Sequence, residues 1–394
     1  MEDRKIRVAI AHGDTNGIGY ELIFKTFSEP EMLELCTPII YGSPKVAAYH
    51  RKALEIEANF TIISGAEDAR GNRLNMLPCF DEDVKVELGE STEESNAAAM
   101  KALDKALSDY RDGKFDVLVT APLRNGPVKD GNETFACLSD YVANRLGEEH
   151  KNIDVMVNSS MRVAILADNR AIQEVSKAIT EENLTTKVEM LMKSLKRDFR
   201  LSNPRVAVLS LNADAQGAEE KNVLAPTVVK VREQGNNVFG PYTAENIFGT
   251  GRYDAFDGIL AMYHDQGTVP FRSIGTDEGC LFTTGLSLPF ATCMKGALTG
   301  ADGKEDTEAG VNSFRRAIYM AIDSFRHRQE YDEPTANPLQ KLYHERRDES
   351  EKVRFSVSKR MENGAPRRFD SKPATASAPE KSEAPATVPE KEKE

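Results

Sequence analysis

The sequence predicts an α/β protein with a mainly parallel sheet, and three observations carry that reading. Short apolar, β-branched runs alternate with amphipathic stretches along most of the chain, the pattern of repeated β-α units. Several of these runs end in glycine-containing polar segments, which is how a parallel sheet presents reactive side chains at the carboxyl ends of its strands. At 394 residues the chain exceeds one typical core, so two domains are expected.

The first strand, 6–11, runs into His12-Gly-Asp-Thr-Asn-Gly17-Ile-Gly19-Tyr-Glu21 and then a helix. Glycines at such a junction let backbone N–H groups approach a phosphate. Gly13, Gly17 and Gly19 are therefore candidates for cofactor or phosphate approach. Their spacing matches neither the dinucleotide fingerprint nor a Walker loop, and a tight turn needing positive φ is the alternative. A strand at 38–41 follows, then a helix over 91–110. Ser91 and Glu94 have capping-box spacing, Met100, Leu103, Leu107 and Tyr110 share one face, and Gly113 closes the helix.

The strand 115–120 leads to Arg124 and on to Lys129, either of which can meet a phosphate or carboxylate, a solvated loop charge being the alternative. After a strand at 161–167 and a helix at 183–195, the strand 205–211 ends in Asn212-Ala-Asp214-Ala-Gln216-Gly217. Asp214 can ligate a hard divalent cation or serve as a turn residue. The apolar run of 258–263 then delivers His264 and Asp265 to a turn closed by Gly267, and Arg272 follows as a candidate anion partner. His264 is read as a metal ligand or acid/base, against the rival of a satisfied core histidine. The other histidines are His12, His50, His150, His327 and His344, and none ends a comparable strand in the chain's middle. A several-histidine zinc site is therefore hard to build. A helix at 313–325 completes the pattern.

Composition narrows the class of protein. A formal charge of −12 argues against a nucleic-acid or acidic-membrane surface. Five widely spaced cysteines without a C-x-x-C pair point to reduced thiols and a cytoplasmic protein. The charged start is read as lacking a signal peptide, and no apolar run approaches the ~20 residues that span a bilayer. Beyond Tyr331 apolar residues thin out: 341–370 reads as a loosely attached charged helix and 371–394 as disordered. Truncation after about Arg347 is expected to leave folding intact.

Taken together, His12 to Glu21, Asp116-Val-Leu-Val-Thr-Ala-Pro122, Arg205-Val-Ala-Val-Leu-Ser-Leu-Asn212 and Asp257-Gly-Ile-Leu-Ala-Met-Tyr-His-Asp-Gln-Gly267 resemble the 4-hydroxythreonine-4-phosphate dehydrogenase family of pyridoxal phosphate biosynthesis, from about residue 5 to about 345. The resemblance implies two α/β domains flanking a cleft, similar to isocitrate and isopropylmalate dehydrogenases, in a homodimer. The first would take 1–125 with about 295–345, the second 126–294, leaving 346–394 as tail. It also implies a phosphorylated small-molecule substrate, NAD or NADP, and a divalent metal (Mg, Mn or Zn) acting as Lewis acid on the oxidised hydroxyl, after which carbon dioxide is lost.

Position by position, the family's Gly-His-Thr-Glu motif falls on Cys137-Leu138-Ser139-Asp140, so Leu138 and Ser139 take the substrate-contacting places and only Ser139 keeps its chemistry. The metal-binding histidines fall on Asn169, Asp214 and His264, a set that favours Mg²⁺ or Mn²⁺ over Zn²⁺. The substrate-binding lysine falls on Arg272, and two further polar positions fall on Leu281 and Thr292. No residue is assigned as catalytic. An active dehydrogenase, a non-catalytic binding or regulatory paralogue, and an enzyme with Leu138 and Leu281 lining an apolar pocket are the readings this leaves.

Overall fold

A computed structural model describes residues 4–80, 84–123, 126–130, 133–275, 279–294 and 307–333. Its strands are β1 (Arg7–Ala11), β2 (Thr37–Gly42), β3 (Phe60–Ile62), β4 (Leu74–Pro78), β5 (Val117–Thr120), β6 (Val128–Asp130), β7 (Glu133–Phe135), β8 (Ile153–Val157), β9 (Arg162–Ala167), β10 (Arg205–Leu209), β11 (Asn237–Tyr242), β12 (Gly258–Tyr263), β13 (Cys280–Thr284) and β14 (Phe290–Cys293). Twelve of them form one sheet in the order β11-β10-β12-β9-β8-β13-β14-β5-β1-β2-β4-β3, while β6 and β7 make a separate hairpin.

The sheet is mostly parallel, as the alternating pattern predicts. The exceptions are central: β8 runs antiparallel to β9, and β13 antiparallel to both β8 and β14. The strands that the sequence marked clearly are buried on both faces, where alternate residues enter different cores. Val8 and Ile10 of β1 join one hydrophobic cluster while Ala9 and Ala11 join another. Leu260 and Met262 of β12 split from Ile259 and Ala261 in the same way.

The predicted helices form, with shifted ends. The first is Glu93–Arg111, and its reciprocal cap is Thr92 with Ser95 rather than Ser91 with Glu94. Ser91 is drawn away because its hydroxyl donates to Asp14 Oδ2 at 2.6 Å. The helix buries Ala98, Ala99, Ala102, Leu103, Ala106 and Leu107, with Met100 and Tyr110 at the margin. The second, Glu181–Arg197, is capped by the Thr180 hydroxyl. The last runs for 25 residues, Glu308–Asp332, and packs across β5, β13 and β14.

One expected turn is a helix. The chain does not turn at Gly267 after β12 but continues as the helix His264–Ile274. Gly267 lies inside it because a Cβ there would stand 3.1 Å from Val163 and 3.2 Å from Ala261. The absent side chain lets the helix press onto β9 and β12. No described helix is long and apolar enough to cross a membrane. Arg124, the region 341–370 and the region 371–394 lie outside the described residues.

Candidate active site

Strand direction gathers most of the candidate side chains at one edge of the sheet. β9, β12 and β10 are parallel neighbours, so the residues after them leave at the same end. These are Asp168 and Asn169, then His264, then Asp214. β8 is antiparallel to β9, which brings its first residues, including Asp154, to that edge as well. The helix Leu138–Leu146 begins beside them and places Ser139 against Asp154.

His264 is the first residue of its helix, and its ring Nδ1 lies 2.8 Å from Asp168 Oδ1. Its side chain is 58% exposed, so it is not a core histidine. With Nδ1 tied to the carboxylate, Nε2 is the nitrogen left to meet a ligand, the arrangement that orients a metal-binding imidazole. Gln266 fixes the helix start, accepting from Met262 N and donating to Ser210 O, both at 2.7 Å. Those bonds tie His264 to the ends of β12 and β10. The sequence reading passed over Asp168, although it adjoins Asn169. Asn169 itself is exposed at φ 55°, a left-handed conformation that asparagine tolerates.

Asp214 is exposed and uses Oδ1 to accept from Gln216 N at 3.0 Å. Its loop is held by Glu220, which accepts from Asn212 N and Asn212 Nδ2, each at 2.8 Å. Burial opposes the charge on Glu220, but these hydrogen bonds prevail and hold its carboxyl below the ordinary value. Among the described residues no three His, Cys, Asp or Glu side chains gather as a metal site. The expected set has only two such groups, with Asn169 as its third member.

Behind this edge lies a polar centre that the sequence reading missed. Asp154 accepts from Ser139 Oγ at 2.7 Å and from Thr283 Oγ1 at 2.6 Å. Burial raises its carboxyl to about 6, against the pull of the two hydroxyls. Burial likewise lowers the Lys187 ammonium, whose Nζ donates to Asn152 O at 3.0 Å. A carboxylate in an otherwise apolar strand, Ile153-Asp-Val-Met-Val157, was the available signal.

Other candidates lie elsewhere. Arg272 sits eight residues along the helix from His264, about 12 Å at 1.5 Å per residue. Its Nη2 donates to Met294 O at 3.1 Å. There it lines a cavity of about 1040 Å³ with Asn158, Arg162, Arg316 and Asp323, none of which belongs to the His264 edge. Leu281 and Thr292 are direct cross-strand partners on β13 and β14. Leu138 packs with one hydrophobic cluster and Leu281 with another. Lys129 is exposed on the β6–β7 hairpin.

The glycine turn after β1 serves the chain's own packing. Residues 12–20 are all buried. Gly13 has φ +77°, and a Cβ there would lie 2.3 Å from Pro122 O; at Gly19 it would lie 2.0 Å from His12 O. Gly17 N closes the turn by donating to Asp14 O at 3.0 Å. The Cβ positions of Gly13 and Gly19 are thus occupied by backbone, and all three glycines of the turn are buried.

The model of the family described as "Pyridoxal phosphate biosynthetic protein PdxA" matches residues 34–321. A 4-hydroxythreonine-4-phosphate dehydrogenase of Bacteroides thetaiotaomicron is 44% identical over 362 residues, covering 91% of this chain and 99% of the relative. One of Prosthecochloris aestuarii is 30% identical over 327 residues, covering 78% and 94%. The fold is shared with the solved 4-hydroxythreonine-4-phosphate dehydrogenase of Klebsiella pneumoniae, at a TM-score of 0.66 and 22% identity over 80% of this chain and 99% of that one. This chain belongs to the PdxA family of pyridoxal phosphate biosynthetic proteins.

Proposed function

We propose that the protein is a 4-hydroxythreonine-4-phosphate dehydrogenase, oxidising the hydroxyl of a phosphorylated hydroxy amino acid with NAD or NADP before the product loses carbon dioxide. The observation that carries this is the Asp168-oriented His264, placed at the carboxyl edge that Asp214, Asn169 and Ser139 share. The relationship to a curated dehydrogenase at 44% identity over nearly the whole chain supports it.

His264 Nε2, the Asp214 carboxylate and the Asn169 amide have the donor chemistry for Mg²⁺ or Mn²⁺, and would hold it at this edge. Such an ion, when bound, polarises the substrate hydroxyl. Asp168 keeps the proton on His264 Nδ1, and Ser139 supplies its hydroxyl oxygen to the substrate. Arg272 is not assigned to the same ligand within one chain, given the helix between it and His264. The glycine turn is buried, and no step is placed there. In line with the family resemblance, we read the protein as a cytoplasmic homodimer. The two halves of the sheet, meeting at β13 and β14, are read as two domains beside a cleft.

The test is to mix purified protein with 4-phosphohydroxythreonine, NAD or NADP, and Mg²⁺, Mn²⁺ or Zn²⁺, following absorbance of the reduced cofactor. Turnover that a chelator removes is expected. No turnover with any metal from a folded protein would overturn the assignment and favour a non-catalytic relative.

A further inference from the structure

Ser139 is 4% exposed, and it carries a hydroxyl whose hydrogen-bonding direction is fixed by its neighbours. Its Oγ donates to Asp154 Oδ2 at 2.7 Å, and Thr283 Oγ1 donates to Asp154 Oδ1 at 2.6 Å. One carboxylate thus collects hydroxyl protons from two separate elements. Cys137 Sγ lies 3.1 Å from Ser139 Oγ, and burial raises this thiol to about 12, so it keeps its proton. With the serine proton committed to Asp154, the thiol must be the donor of that pair. Ser139 Oγ is left with one lone pair and no proton to offer.

We propose that Asp154 is a positioning residue of the substrate site: its carboxylate holds the Ser139 hydroxyl as an acceptor, so that the site selects a substrate presenting a donor there, a hydroxyl or an ammonium. This rests on the reading of Ser139 as a substrate contact. When Asp154 takes up a proton, the carboxyl can donate to Ser139 instead; the hydroxyl proton is then released from Asp154 and the preference is lost.

The groups facing Asp154 place that change within reach of experiment. Asp140 and Cys137 face it from the start of the helix Leu138–Leu146, Lys187 from the helix Glu181–Arg197, Thr283 from β13 and Asp168 from the end of β9. Burial is the largest influence and moves the carboxyl to about 6; Asp168 and Asp140 add to the rise while the two hydroxyls oppose it. Substrate binding should therefore weaken as pH falls through about 6.

The experiment measures the calorimetric Kd of 4-phosphohydroxythreonine from pH 8 to pH 5 for the parent, Asp154→Asn and Ser139→Ala, each verified as folded by melting. The substrate's phosphate titrates near the same pH, so the reading is the difference between profiles. For a single proton site near 6, the parent should weaken about tenfold more than Asp154→Asn between the two ends. Asp154→Asn should already be about tenfold weaker at pH 8, because its amide donates to Ser139 as the protonated acid would. Should Asp154→Asn fail to fold, Thr283→Val removes one hydroxyl that favours the ionised acid, and the midpoint should move upward.

Parallel profiles for parent and Asp154→Asn, or an unmoved midpoint in Thr283→Val, would overturn the inference about Asp154 alone. An unchanged Kd in Ser139→Ala would overturn the substrate contact on which it rests. Absence of binding at every pH would overturn the proposed substrate and both readings with it.

Discussion

The junctions after β1 and after β12 look alike in sequence and differ in chemistry. Each follows a buried strand, begins with a histidine, carries glycine and is joined to a helix. His12 is 0% exposed, stacked on Tyr20 at 5.2 Å with 11° between the rings. Burial lowers its imidazole to about 3, so it is neutral at physiological pH. His264 is exposed and paired with Asp168. Gly13 and Gly19 close onto backbone oxygens, whereas Gly267 lets a helix settle on the sheet while its first residue stays in solvent. A motif names the atoms available; burial decides which of them can meet a ligand.

Substitution should separate the two histidines. His12→Ala removes a buried ring and leaves a cavity, so a loss of about 3 kcal/mol is expected. It should appear as a melting temperature several degrees lower, with substrate affinity of the folded fraction unchanged. His264→Ala should do the opposite: stability within about 0.5 kcal/mol, since the side chain is exposed, and no detectable turnover. An equal melting penalty for both variants would erase the contrast. Asp168→Asn, which weakens the orientation of His264 without removing it, should lower metal affinity about 10- to 100-fold; unchanged affinity would show that the carboxylate does not orient the ring.

Acid provides a finer separation. Because the folded state holds His12 far below its unfolded value of 6.5, the stability of the neutral ring is present above that value and is lost as pH falls toward about 3. The slope is about 1.4 kcal/mol per pH unit at its steepest. His12→Phe should flatten denaturation midpoints between pH 6 and pH 4 (about one proton less taken up on unfolding). A parallel loss in parent and variant would show that other groups control acid stability.

The six buried strands and three long helices were legible because apolar periodicity and burial coincide there. β8, β13 and β14 were not, since short antiparallel strands containing Asp154, Thr283 and Thr292 lack a continuous apolar run. The helix after β12 was hidden by Gly267 and Pro270, which read as breakers yet sit within its turns. His264 was legible from its strand. Asp168 and Asp154 were not: their roles follow from pairing of β9 with β12 and of β8 with β13, relations between distant segments that local pattern does not encode.

The most direct measurement is a calorimetric Mn²⁺ titration of the parent, His12→Ala and His264→Ala under identical conditions. The account predicts binding in the first two, with equal affinity, and none in the third. Equal affinity in the parent and His264→Ala would remove His264 from the site and contradict the assignment of the β9–β12–β10 edge as the reactive end of the molecule.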